Sequence, residues 1–355
     1  MAQLLSALPV GALVKDTGTV YNGESPIFRV LEHGHTGDPS GSTTLDFRDV
    51  ISLRCYDARE SNNSSVKGHY GNSRYKYSNI LQWLNSSATA GEWYTAQHSS
   101  DQPPAATVLG SSNYKNSYDK DCGFLRYLSH NLRKALLTAT KTSYYYLDDK
   151  TTLSSEDVSS KMFLLSMREV GLTSNGTEPL DGTVYALFSE RVDEADDNRV
   201  KKIATSRAIG DFTSQYSVGD DATWFTRTPS LSGSVSNYYD NVEEVDKYDF
   251  YNRNSAYTAF SGISPAFCIP QTTLVSSQPD SNGVYTIIWS STSEKIISLS
   301  GLDIFKDCLE NVMDDKIDDI PIATTSENGL MSSTDKTKLE GIGTISSTYI
   351  DSLFT

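Results

Sequence analysis

In Trp224-Phe225-Thr226-Arg227-Thr228-Pro229, aromatic and β-branched residues predict a β-strand that ends at the proline. Similar strands are predicted on both sides of it, joined by long connections rich in Gly, Asn, Ser and Tyr. One of them, residues 27–31, follows a turn at Tyr21-Asn22-Gly23 and alternates as a half-buried strand does. The others are residues 12–14, 50–56, 162–166 and 283–289.

Two helices are predicted between these strands. Residues 77–85 have Ser78 or Asn79 as an N-cap, because these side chains accept hydrogen bonds from the first free backbone amides. Residues 123–138 carry apolar side chains at spacings of three and four. Strands and helices do not alternate regularly, so the patterns predict an α+β protein with loop-rich β structure.

Composition excludes several classes of partner. The 355 residues carry a formal net charge of -15, and no cluster of Lys and Arg is present, so nucleic acid is not an expected partner. No apolar run approaches the length of about 18 residues that indicates a membrane span, so no membrane insertion is expected. Residues 1–14 lack a basic start and are interrupted by Pro9, so no signal peptide is predicted. The chain is therefore expected to assemble in the cytoplasm.

Two groups of histidines could carry chemistry. His33 and His35 could offer two metal ligands, but no third ligand is evident, and solvated loop histidines are favoured. His98 lies near Asp101 and could act as a general base, but hydrogen bonds that fix the loop are favoured. No metal or cofactor is expected, and the protein is predicted not to be an enzyme.

Cysteine spacing gives no metal or redox motif. Free thiols are favoured, although a disulfide between two of them remains open. A cysteine near Pro270 could imitate a redox cysteine, but a single cysteine in an apolar strand indicates a core position. The four cysteines are Cys55, Cys122, Cys268 and Cys308.

A tyrosine-rich run before Phe267 is the best candidate for ligand binding. Tyrosine rings suit the C–H faces of sugars, while amides and carboxylates suit their hydroxyl groups. Exposed loop positions, or contacts to a neighbouring subunit, are the alternatives, and Trp224 and Arg227 are predicted to be structural. The predicted binding residues are Tyr238, Tyr239, Asp240, Tyr251, Asn252, Arg253 and Tyr257.

The end of the chain predicts self-association. Residues 302–318 form a predicted helix with two heptads of apolar a/d positions, which fits either a trimeric bundle or a helix docked on the main domain. Residues 323–342 have too few apolar side chains to offset the entropy of ordering them, so copies of the segment are expected to complete one another. The predicted trimerisation residues are Leu302, Phe305, Leu309, Val312, Leu330, Met331, Leu339 and Ile342.

Two parts of the chain resemble known families. The run ATTSENGLMSSTDKTKLEGI, residues 323–342, resembles a short element of bacteriophage tail and head fibre proteins, which folds only in an intertwined trimer. Residues 10–272 resemble a domain of unassigned function from phage and Gram-positive surface proteins. The matching pieces are YNG at 21–23, FRVL at 28–31, NSRYKYSNILQWLNS at 72–86, WYTAQH at 93–98, GFL at 123–125, FLLS at 163–166, EVGL at 169–172, WFTRTP at 224–229 and SPAF at 264–267.

The last two of these pieces also resemble the closing strands of the C-type-lectin and formylglycine-generating-enzyme superfamily. The resemblances imply a C-type-lectin-like main domain followed by a trimeric fibre-like element. The implied divisions are an N-terminal segment (1–14), a lectin-like α+β domain (15–272), a strand-plus-helix connector (273–318) and a fibre-type trimerisation element (319–355).

The expected function is that of a structural virion protein of a fibre, tail tip or decoration layer. Its expected partners are its own copies as a homotrimer, other virion proteins, and host cell-surface polysaccharide. The alternatives are a phage tail-associated or formylglycine-type enzyme, and a secreted adhesin, which the lack of a signal peptide disfavours.

Overall fold

The structure, a computed structural model, describes residues 2–60, 67–107, 109, 116–147, 152–173, 181–190, 198–210, 216–230, 241–246 and 251–289. In these ranges the chain forms mainly β-strands, joined by loops and a few short helices. The predicted loop-rich β structure is therefore confirmed. No helix within these ranges has the length and apolar character needed to cross a membrane.

Seventeen strands are found in the described ranges. They are β1 (Ala2–Leu4), β2 (Leu13–Lys15), β3 (Ile27–His33), β4 (Ser42–Phe47), β5 (Ser52–Leu53), β6 (Ala139–Tyr146), β7 (Leu153–Ser160), β8 (Met162–Phe163), β9 (Lys201–Lys202), β10 (Asp221–Ala222), β11 (Trp224–Pro229), β12 (Asn241–Val245), β13 (Tyr251–Ser255), β14 (Gly262–Ile263), β15 (Ala266–Pro270), β16 (Leu274–Ser276) and β17 (Val284–Ile288).

The helices of the described ranges are all short. The α-helices are α1 (Lys67–Tyr70), α2 (Asn79–Leu84), α3 (His130–Ala135) and α4 (Ser206–Ile209). Single 3-10 turns are formed by Leu5–Ala7, Tyr75–Tyr77, Phe124–Tyr127 and Ala186–Phe188.

Two larger sheets organise the fold. The first has eight strands in the order β1-β16-β17-β2-β3-β4-β15-β8, and the second has five in the order β13-β12-β11-β14-β5. The β2–β17 and β11–β14 pairs are parallel, and the other pairs in these sheets are antiparallel. Two-stranded ribbons, β6–β7 and β9–β10, complete the described pairing.

Both faces of the central strands are covered. Phe28, Phe47 and Phe267 meet edge to face, with ring centroids 4.9–6.1 Å apart. The half-buried alternation predicted for residues 27–31 is wrong, because Phe28, Arg29, Val30 and Leu31 are all buried. Arg29 tolerates this position because its Nη2 donates to Asp46 Oδ2 at 2.6 Å.

A buried ionic network ties β11 to the neighbouring loops. Arg227 donates to Glu169 Oε2 at 2.5 Å, and Lys141 lies 3.1 Å from the other oxygen of that carboxylate. Burial raises the pKa of Glu169, but the charges of Arg227 and Lys141 outweigh it and lower the pKa to about 2. Arg227 also donates to the carbonyl oxygens of Leu164 and Asp181, so it is structural, as expected.

Several predicted elements are shorter than expected because their backbone groups find other partners. The predicted strand at residues 50–56 is reduced to β5, since Tyr56 N–H donates to Ala256 O. The predicted strand at 162–166 is reduced to β8, since Leu164 N–H donates to the Tyr75 hydroxyl. The predicted helix at 123–138 is interrupted by Ser129, whose hydroxyl caps α3 by accepting from Leu132 N–H.

Both ends of the described chain belong to the eight-stranded sheet. β1 pairs with β16, and β2 pairs with β17. The sheet therefore continues across the predicted boundaries at residues 14 and 272, and the compact unit extends from Met1 to Ser290. Backbone hydrogen bonding with the main domain explains this, because edge strands add to a sheet without a core of their own. The connector helix and the fibre-type element lie outside the described residues.

Candidate functional site

The predicted binding residues fall into two groups. Tyr238, Tyr239 and Asp240 lie outside the described residues. The others follow one another along β13 and the turn after it: Tyr251, Asn252, Arg253 and Tyr257.

β13 is one of the two edge strands of the five-stranded sheet. Its neighbour β12 places Glu243 opposite Arg253 and Glu244 opposite Asn252. Asn252 is exposed, whereas Glu243 and Glu244 are fully buried. The exposed Asn252 amide and the turn that carries Tyr257 therefore lie at the edge of the sheet that β13 forms.

Tyr257 contacts residues from a distant part of the chain. The guanidinium carbon of Arg59 lies 4.2 Å from the centroid of the Tyr257 ring, and the Tyr70 ring centroid lies 6.2 Å from it. His69, which is exposed, lies 6.2 Å from Tyr70 between ring centroids. We call Arg59, His69, Tyr70 and Tyr257 the tyrosine surface.

Main-chain hydrogen bonds hold the tyrosine surface together. Tyr257 N–H donates to Tyr70 O at 3.0 Å, and Asp57 N–H donates to Ala256 O at 3.0 Å. Gly71 ends α1 with a φ of +76°, and a Cβ there would lie 2.6 Å from Asp57 O. Glycine is therefore required where α1 passes the loop that carries Arg59.

Three carboxyl groups lie buried next to this surface, with exposures of 1–6 % at Asp57, Glu60 and Asp101. Burial, reinforced by the nearby charges of Asp101 and Glu60, raises the pKa of Asp57 well above its usual range. Burial also raises the pKa of Asp101.

Asp57 and Glu60 have hydrogen-bond and ion-pair partners within the protein. Asp57 accepts from the backbone N–H groups of Asn72 and Asn79, at 3.0 Å each. Glu60 accepts from the Asn72 side chain at 3.0 Å and lies 2.9 Å from His98 Nε2. The carboxyl groups therefore stabilise the loops behind the tyrosine surface.

His98 has a different partner from the one that its spacing suggested. Its ring pairs with Glu60, whereas Asp101 accepts from Gln97 N–H at 2.8 Å and donates its own N–H to the His98 carbonyl. The predicted loop-fixing hydrogen bonds are thus present, but the His98 side chain contributes through a residue far from it in the sequence.

His33 and His35 are not solvated loop residues, which corrects the expectation for them. His33 lies in β3 and contacts Thr43 Oγ1 at 2.7 Å. His35 is buried, stacks on Tyr185 with ring centroids 3.9 Å apart, and contacts Glu32 at 2.7 Å. Within the described residues, no group of three or more His, Cys, Asp or Glu side chains could hold a metal ion.

The described cysteines, Cys55, Cys122 and Cys268, are free thiols. Cys268 is buried in β15 and lies 3.3 Å from the Thr44 hydroxyl. Burial raises the pKa of its thiol to about 12, which disfavours the reactive thiolate. The predicted core position of Cys268 is confirmed.

Sequence reasoning found Tyr257 but missed Arg59, His69 and Tyr70. Both tyrosines are partly exposed, as is Arg59. No local pattern marks residues 59–70, because their role comes from contact with the turn after β13. A partly exposed surface of this kind offers ring faces and hydrogen-bond donors to a ligand.

One family model matches this chain. It is described as a domain of unknown function (DUF6273), and it matches residues 41–271, which is well over half of the chain. The matched region includes the whole tyrosine surface. The chain matches no curated protein and no solved structure.

Proposed function

The chain belongs to the DUF6273 family, and we propose that it is a non-enzymatic bacteriophage virion protein that binds host-surface carbohydrate through the tyrosine surface. In this proposal it occupies a fibre, tail tip or decoration layer. It contacts the host or neighbouring subunits, and it is held as a homotrimer by its C-terminal element.

The observation that carries the binding proposal is the contact of Tyr257 with Tyr70 and Arg59. Two partly exposed tyrosine rings supply the aromatic faces that sugars stack on, and the guanidinium supplies hydrogen-bond donors for their oxygen atoms. Tyrosine also gives contact area at a small cost in side-chain entropy. The hydrogen bonds to Ala256 and Tyr70 hold the surface in place before a ligand arrives.

The virion part of the proposal is supported by the sequence. Residues 323–342 resemble the phage fibre element, and their polar composition favours a segment that copies of itself complete. The loop-rich β structure of the described residues suits a protein that presents loops to a surface.

The alternative, a phage tail-associated or formylglycine-type enzyme, has less support. Its candidate cysteine, Cys268, is buried and has a raised thiol pKa. Among the described acidic groups, Glu169 is paired with Arg227 and Lys141 inside the fold, where it serves packing. Binding without catalysis is therefore favoured.

The binding proposal is tested by calorimetric titration of the full chain with a panel of bacterial surface polysaccharides. Tyr257→Ala and Tyr70→Ala are expected to weaken binding about tenfold, since removing a stacking ring costs on the order of 1.4 kcal/mol. Tyr257→Phe keeps the ring and should bind nearly as well as the natural chain.

The matched control is Tyr144→Ala, which removes a partly exposed tyrosine from the β6–β7 ribbon. It should leave the affinity unchanged. If no polysaccharide binds, the carbohydrate proposal is wrong. It is also wrong if Tyr257→Ala and Tyr70→Ala bind polysaccharide as tightly as the control Tyr144→Ala does.

A further inference from the structure

We propose that the carbohydrate bound at the tyrosine surface is anionic, with carboxylate or phosphate groups on its sugar units, and that Arg59 binds these groups. This inference rests on the proposed carbohydrate binding. It specifies that the ligand is negatively charged and that Arg59 is the residue that recognises the charge.

Arg59 differs from the other described arginines that lie on aromatic rings. Its guanidinium carbon lies 4.2 Å from the centroid of the Tyr257 ring, and its Nε has no hydrogen-bond partner among the described residues. By contrast, Arg29, Arg54 and Arg74 each lie on a ring and also pair with a carboxylate, at 2.6–2.7 Å. Arg199 lies near the Phe188 ring and donates to the Val170 and Phe188 carbonyl oxygens.

The contact of Arg59 with the Tyr257 ring favours binding of an anion by the guanidinium. The ring contacts the guanidinium at 4.2 Å, and the N–H donors of a guanidinium suit the two oxygens of a carboxylate or phosphate. Immobilising a long side chain normally opposes binding, and here the Tyr257 contact has already restricted it.

The hydration of Arg59 also favours an anionic ligand. Its Nε is shielded from water and has no hydrogen-bond partner in the described part of the chain. A cation that has already lost part of its hydration loses less when an anion replaces the remaining water. The same N–H groups gain more from a charged acceptor than from a neutral hydroxyl group.

The neighbouring acidic residues do not cancel this charge at the surface. Asp57 and Glu60 are each 1 % exposed; Asn72 and Asn79 donate hydrogen bonds to them, and His98 Nε2 lies 2.9 Å from the Glu60 carboxylate. His69 adds an imidazole on the outer side, where it is exposed. The formal net charge of -15 opposes the approach of an anionic polymer, so its binding depends on the positive charge of Arg59.

Carboxylate and phosphate groups share the chemistry that Arg59 recognises, so the test uses both. The full chain is titrated with an oligogalacturonate, with the same oligomer after its carboxyl groups are reduced to alcohols, and with a phosphodiester-linked glucose polymer. Inorganic phosphate alone is titrated as a probe for simple anion binding.

At least one anionic polymer should bind ten times or more tightly than the neutral oligomer. Arg59→Gln should remove that preference, because it weakens binding of the anionic polymers far more than binding of the neutral oligomer, which loses only hydrogen bonds to uncharged oxygens. Arg59→Lys keeps the charge but not the planar, forked set of N–H donors, so it should retain part of the preference. Arg207→Gln, which changes an exposed arginine on α4, is the matched control and should behave as the natural chain does.

The outcomes distinguish a failure of this inference alone from a failure of the proposed function. Equal affinities for neutral and anionic polymers, or an equal loss of both in Arg59→Gln, would overturn the charge inference and leave carbohydrate binding intact. Inorganic phosphate binding as tightly as the polymers would overturn it also, because the sugar then contributes nothing. If none of the polymers binds, both proposals fail together.

Discussion

At the scale of one residue, Glu244 shows how burial in the five-stranded sheet changes the pKa of a carboxyl group. It lies on β12 and is fully buried, and the Ser261 hydroxyl donates to one of its carboxyl oxygens. Burial, with a further contribution from the charge of Glu243, raises the pKa of Glu244 to about 8. The carboxyl is therefore protonated in the folded protein at neutral pH, next to the strand that leads to the tyrosine surface.

This raised pKa predicts a pH-dependent stability. Below pH 4 the carboxyl is protonated in both the folded and the unfolded chain, so it does not make the free energy of unfolding depend on pH. Between about pH 4.5 and pH 8 the unfolded chain loses this proton while the folded chain keeps it, so the stability falls as pH rises. Glu244→Gln imitates the neutral acid and should remove a loss on the order of 3 kcal/mol between pH 4 and pH 7.

Urea unfolding of the two proteins across pH 4–8 measures this difference. Glu92→Gln, at an exposed position, is the control and should follow the pH profile of the natural chain. If Glu244→Gln keeps the slope of the natural chain, the buried acid is not protonated as described.

At the scale of elements, short helices and turns hold the loops in register. α2 begins at Ser78, whose hydroxyl accepts from Leu81 N–H at 3.3 Å. α1 is a single turn, and it is followed at once by Gly71 in a left-handed conformation. Because α1 carries Tyr70 and packs beside the loop of Asp57, the backbone at Gly71 positions half of the tyrosine surface.

Gly71→Ala is expected to destabilise the protein and weaken polysaccharide binding. A left-handed backbone costs a non-glycine residue about 1–2 kcal/mol. The new Cβ would also lie 2.6 Å from Asp57 O and 3.0 Å from Tyr257 N. Moving these atoms adds a loss on the order of 1–3 kcal/mol, as overpacking does. Urea unfolding measures the stability, and calorimetric titration measures the binding.

Gly37→Ala separates the two costs. Its φ is +93°, but nothing lies within 4 Å of the position that a Cβ would take. It should lose only the backbone term and bind polysaccharide as the natural chain does. Equal losses of stability in the two variants would show that the close approach at Gly71 has no energetic effect.

At the scale of the whole molecule, both ends of the described chain join one sheet. The strands β1 and β2 near the start pair with β16 and β17 near residue 289. The compact unit therefore contains the strand part of the predicted connector and ends at Ser290. The predicted trimerisation residues all come after that point.

Self-association is predicted to depend on the end of the chain. Static light scattering should give the mass of three chains for the full protein and of one chain for a version that ends at Asp318. The physical reason is that residues 323–342 cannot bury enough apolar surface except against copies of themselves.

The other results have clear meanings. A trimer that survives the truncation would assign assembly to residues 302–312 or to the main domain. A single-chain mass for both versions would contradict the fibre-like element and with it the strongest support for a virion protein.

Much of the local structure could be predicted because its causes lie close together in the sequence. The Ser78 cap and the start of α2 depend on atoms three residues apart, and the turn at Asn22-Gly23 depends on two residues that accept a positive φ. Aromatic and β-branched residues followed by proline were sufficient for β11. Residues 123–138 do contain a helix, but it is shorter than the apolar pattern, because the cap at Ser129 starts α3 only at His130.

The sequence by itself determined the loop-rich β character of the protein, the position of Cys268 in the core, and the candidacy of Tyr257. Only the tertiary structure decided that Tyr257 meets Arg59 and Tyr70, and that Glu244 is enclosed between strands. Strand propensity, caps and turns act over a few residues, whereas these contacts depend on the order of strands in a sheet. That order is set by the packing of the whole chain, so no local pattern shows it.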